Sequence, residues 1–127
     1  MHGGRVGRLL DVLRLVADRR RRRVERAGEA VDAGERSIAL GIYSELSESY
    51  RRDGDLVSAD FVNGEAARVL LDLDRPDDAA RLLLSSRVDD PDPGQRANRD
   101  HLIVIALERA GRREEARAML EAARRTT

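Results

Sequence analysis

Four short stretches of this 127-residue chain share one frame: an apolar or aromatic residue, a glycine or aspartate four places on, and an alanine five places after that. The frame runs through Leu107, Gly111 and Ala116; through Tyr50, Gly54 and Ala59; through Leu70, Asp74 and Ala79; and, more weakly, through Ala30, Gly34 and Ala39. A residue that tolerates the left-handed region ends a helix sharply, and a small one five places later lets the next helix approach closely. Large side chains there would hold the pair apart. The chain is therefore committed to antiparallel helical hairpins.

Apolar residues recur at helical spacing almost throughout, as in Val6, Leu10, Leu13 and Ala17, or Ala59, Val62, Ala66 and Leu70. No stretch alternates with period two. The β-branched segment 101–107 lies in a long run without Gly or Pro, which favours a buried helix over a strand. Punctuation separates about six helices, near 5–31, 37–52, 56–73, 77–87, 95–110 and 113–125. Pro76 and Pro93 suit first turns, and Asp92 suits a cap. The fold class is all-α, one domain over 1–127, with six antiparallel helices stacked as three hairpins in a short α-solenoid. Residues 1–31 are an N-terminal helix of weaker repeat character. Because the Gly34 frame is the poorer one, Gly111→Val is expected to cost more stability than Gly34→Val.

Composition narrows the function classes. With no cysteine there is no disulfide framework and no thiolate metal site, and the simplest compartment is the cytoplasm. His2 and His101 cannot make a metal site alone. Basic and acidic residues balance at 24 each, all the basic ones arginine, which argues against general attraction to nucleic acid or an anionic membrane. Arg8, Asp11 and Arg14 interrupt the first apolar run, so neither a signal-peptide core nor a membrane span fits. The acids Asp89, Asp90 and Asp92 lack the glycine spacing of a calcium loop. No Gly-rich phosphate loop or nucleophile–base spacing points to catalysis, so no enzyme activity and no cofactor are expected.

The distance from Gly34 to Asp74 is 40 residues and from Asp74 to Gly111 is 37, near the length of a two-helix repeat. At this point the chain resembles the tetratricopeptide repeat family. Ile103, Leu107, Gly111, Ala116, Leu120 and Ala123 occupy its signature positions in the last hairpin, and Tyr43, Leu46, Tyr50, Gly54, Asp55, Ala59 and Ala66 match it in the middle. Asp100 stands at the family's tryptophan position and Val104 at its glycine position. The Gly54 frame is out of phase with the other three, so two registers are open. The resemblance implies a superhelix with a concave groove that binds another protein or peptide.

It also implies groove residues on each repeat's first helix: Phe61, Arg68 and Leu71 on the third helix, Asn98, His101 and Ile105 on the fifth. In the other register they are Ser44, Glu48 and Arg51. Phe61 lies opposite the stripe of Ala59, Val62, Ala66 and Leu70 and forms a second stripe with Val57 and Leu71. That suits a groove hot spot, and also a helix sandwiched between two neighbours, which is the preferred reading. The run Arg19–Arg23 offers a phosphate-contacting patch and hence a nucleic-acid-associated or regulatory module as an alternative, or else a solvated stretch of helix. Incompletely capped ends at the first and sixth helices suggest a homodimer, or a self-assembling structural subunit.

Overall fold

The computed structural model describes residues 3–85 and 92–125. They form six helices and no strand: α1 (Gly3–Asp32), α2 (Arg36–Arg52), α3 (Leu56–Asp72), α4 (Pro76–Ser85), α5 (Pro93–Arg109) and α6 (Arg113–Arg125). The expected end of the fourth helix at 87, and the acids Asp89 and Asp90, lie outside the described residues. α5 starts two residues earlier than expected. The reason is its cap: Asp92 Oδ1 accepts from the N–H groups of Gly94 (2.9 Å) and Gln95 (3.2 Å), with Pro93 in the first turn, where its missing N–H costs nothing.

Four junctions are closed by the same turn. Gly34, Gly54, Asp74 and Gly111 have φ of 77°, 76°, 57° and 79°. Each donates its N–H to the carbonyl three residues back at 3.0 Å, and the following residue donates to the carbonyl five back at 2.7 to 2.9 Å. This is the pairing that satisfies the last carbonyls of a helix ending in a left-handed residue. The alanines five places on, Ala39, Ala59, Ala79 and Ala116, are all buried. One expectation loses its structural ground here. The Gly34 turn is as complete as the Gly111 turn, with Ala30 fully buried at its large position, so turn geometry gives no reason for unequal glycine substitutions. The Gly54 frame, out of phase with the other three, closes the α2–α3 junction with the same φ and the same bonds.

Consecutive helices pack on one another in order, and α3 also meets α5, as in a helical-repeat stack. That contact makes α3 and α5 equivalent helices of successive hairpins. α3 contributes to both core clusters: Val62, Ala66 and Val69 pack with α1 and α2, while Ala67, Leu70 and Leu71 pack with α4, α5 and α6. Small residues bring the backbones together and Leu46, Leu83, Ile103 and Leu107 fill the space between. Among the described residues no helix is long and apolar enough to cross a membrane, and no group of three or more His, Asp or Glu side chains is placed to hold a metal ion.

Candidate interaction groove

α1, α3 and the start of α5 enclose an open cleft of about 500 Å³. Its apolar lining comes from Leu13, Val16, Ala17 and Val24 of α1 and Val57 and Phe61 of α3. Leu13, Val57 and Phe61 are 56 %, 42 % and 46 % exposed, so the cleft presents three large side chains with unspent apolar surface. Much of its polar lining is already engaged. Arg20 donates to Ser49 Oγ at 2.8 Å and to Asp53 Oδ2, and its guanidinium lies 4.9 Å from the Tyr50 ring centroid. Asp55 caps α3, accepting from Ser58 N at 3.1 Å and from Ser58 Oγ at 2.7 Å.

Beyond Phe61 the open face of α3 continues to Arg68, two turns along. Arg68 donates to Asn98 Oδ1 at 2.7 Å and so ties that face to α5. Beneath the bridge runs a buried polar seam. Asp60 and Asn63 of α3 face Arg99 of α5, all at 6 % exposure or less. Asp60 Oδ1, Asn63 Nδ2 and both Nε and Nη1 of Arg99 have no hydrogen-bond partner among the described residues, nor do Gln95 Oε1 and Asp100 Oδ1. The Arg99 contacts to Asp60 (3.9 Å) and Asp100 (3.7 Å) are ionic at a distance rather than hydrogen bonds. Burial pushes the Asp60 carboxyl above the ordinary carboxylate value, against the pull of Arg99 and with help from Asp100.

Phe61, Arg68 and Asn98 are therefore exposed on one surface, with Phe61 in the cleft and the other two joined beside it. Phe61 is not packed between neighbours, contrary to the preferred expectation, because α5 crosses the adjoining face of α3 and covers Leu71 instead. Leu71 is 6 % exposed within the core, and its carbonyl accepts from Arg109 Nη2 at 2.9 Å. Ile105 is half-buried against the same core. His101 lies in a separate hollow of about 420 Å³ between α5 and α6, with Val104, Met119, Leu120 and Ala123. These three are corrected as groove residues.

The run Arg19–Arg23 does not present one cationic face. Arg20 turns to α2, Arg21 pairs with Asp18 and Glu25 along its own helix, Arg22 donates to the Asp18 carbonyl, and Arg23 pairs with Glu45. The cleft contribution of α1 and the polar seam were not read from the sequence. A signal for the seam was present: Asp60, Asn63, Gly64 and Ala67 put polar and small residues on one side of α3, next to the apolar stripe of Ala59, Val62, Ala66 and Leu70. Comparison of the chain with protein-family models, with curated proteins and with solved structures returns no match.

Proposed function

We propose that the protein is an interaction module of tetratricopeptide type, which takes an apolar helix or peptide segment of another protein in the cleft between α1, α3 and α5. One observation carries this: Leu13, Val57 and Phe61, from two helices, converge half-exposed on a single cleft of about 500 Å³. An aromatic anchor flanked by aliphatic surface is the composition of an interface hot spot, and a helix laid in a groove is a recurring use of such a surface. The like geometry of the four turns, 20, 20 and 37 residues apart, and the α3–α5 contact support the repeat assignment. A nucleic-acid role for the arginine run is the weaker reading, since Asp18, Glu25, Glu45 and Asp53 already take up much of its charge.

Selection of displayed 16- to 20-residue peptides tests this reading. Amphipathic apolar sequences are expected to enrich on the wild-type protein and on Leu120→Asp, which alters only the α5–α6 hollow. They are expected to lose at least about tenfold in affinity on Phe61→Asp, as a hot-spot loss requires. No enrichment, or binding lost on Leu120→Asp and kept on Phe61→Asp, overturns it.

A further inference from the structure

The apolar wall of the cleft runs out onto helix that nothing in the described chain covers. α1 has 30 residues and α2 has 17, and Arg20 already reaches Asp53, at the C-terminal end of α2. The turns of α1 before residue 17 therefore stand beyond their neighbour. Among the described residues, six of the eleven exposed large apolar side chains fall there, between Val6 and Leu15. Scattered exposed leucines are ordinary, but four of these six, Val6, Leu9, Leu10 and Leu13, lie together on one side of the helix and make a docking face.

That face has a pattern. Val6, Leu9, Leu10, Leu13, Val16 and Ala17 share one broad side of α1 at helical spacing. The same seam continues through Val24, Ala27 and Val31, which pack in the core with α2. One stripe thus has a helical partner along its second half and none along its first. Arg20, on the stripe but drawn aside to Ser49 and Asp53, marks the border.

We propose that the missing partner is a second copy of the chain, whose own α1 extension lies antiparallel on this one; the idea rests on reading the adjoining cleft as an apolar docking site. The face is self-complementary. A two-fold axis near residues 11 and 12 sets Val6 opposite Val16 and Ala17 of the second copy, and Leu9 and Leu10 opposite Leu13. A parallel pair would instead run the second half of each α1 along the stripe of Val24, Ala27 and Val31, where α2 already packs. The balance of 24 basic and 24 acidic residues leaves no net repulsion between copies. The overlap is roughly 20 Å of helix. Val57 and Phe61, at the edge where the partner helix ends, extend the contact toward the roughly 1,000 Å² that a specific interface needs. An isologous contact of this kind closes on itself and stops at two.

The test combines mass with geometry. Light scattering from micromolar to sub-millimolar concentration is expected to approach twice the 14.2 kDa chain mass. Leu10→Asp with Leu13→Asp, both at exposed positions and so tolerated by the fold, is expected to raise the dimerisation midpoint at least about 100-fold with helicity unchanged. The chain has no cysteine, so spin labels can be placed singly through Arg8→Cys or Arg22→Cys. Antiparallel pairing separates the two labels along the axis by about 10 Å at position 8 and about 30 Å at position 22. Equal separations at both positions overturn the arrangement, as does a dimer broken by Leu120→Asp and not by the α1 variant. A constant single-chain mass with Phe61-dependent peptide binding overturns the pairing alone and leaves the groove reading standing. A dimer with the expected label separations and no selected peptide does the reverse.

Discussion

The Arg99 guanidinium and the Asp60 carboxylate are buried together between α3 and α5, with 3.9 Å from Nη1 to Oδ1. At that distance desolvation outweighs attraction, and the Asp60 carboxyl is held above its usual value. A carboxyl whose folded value is raised binds more protons folded than unfolded. Its contribution is thus most favourable below the ordinary carboxylate range and is lost as pH climbs through the raised folded value. Asp60→Asn removes the titration. The variant is therefore expected to gain stability relative to wild type between pH 4 and pH 7, measured by urea unfolding at each. A relative loss over that interval would mean that Arg99 holds the carboxyl low instead.

Asp74 is the one non-glycine residue with positive φ, 57°, among four equivalent turns. Its side chain is 91 % exposed and its ion pair with Arg109 is 3.7 Å long, so the carboxylate contributes little. Asp74→Gly is expected to stabilise the fold by up to about 1 kcal/mol through relief of left-handed strain. Gly34→Val and Gly111→Val should each cost at least about 1 to 2 kcal/mol, and by similar amounts, since both turns have the same φ and the same bonds. Thermal denaturation of the three variants checks both statements.

Arg20 is set apart from the other arginines of its run. Its side chain is 19 % exposed, bonds Ser49 and Asp53, and lies over Tyr50. Arg20→Ala is expected to cost about 1 to 2 kcal/mol, against less than about 0.5 for Arg19→Ala at an exposed position. Chemical denaturation decides, and equal losses would show that the α1–α2 anchor is not specific to Arg20.

Leu71 and Phe61 should separate stability from binding. Leu71→Ala, within the core, is expected to cost about 2 to 4 kcal/mol. Phe61→Ala, at 46 % exposure, should cost about 1 kcal/mol or less while it weakens whatever occupies the cleft. A severe melting defect for Phe61→Ala would return that side chain to the core.

The helices and their junctions were legible because their causes are local. A left-handed residue, a carbonyl three or five places back and an alanine five places on all lie within one turn of the chain. The exposed face that Phe61 and Arg68 share was legible for a similar reason, since both lie on α3 opposite its apolar stripe. What could not be read was the crossing of α3 by α5. It buries Leu71, seats Arg99 against Asp60, and leaves Ile105 half-buried in the core and His101 at the far side. Nothing near Leu71 in sequence announces Arg109 or Leu102. Charged residues at helical spacing look alike whether water or another helix faces them.

The four like turns also bear on how the chain reaches its fold. Apart from α3 with α5, extensive contacts join only helices adjacent in sequence, so nearly every loop closed during folding is short and its entropic cost small. No junction is privileged as a starting point, because each hairpin is closed by the same local bonds. The α3–α5 seam is the exception: it spans one such turn, the whole of α4 and one connection, and so closes the longest loop among these contacts. Rapid local assembly followed by a slower locking of the two halves is the kinetic order that this topology imposes.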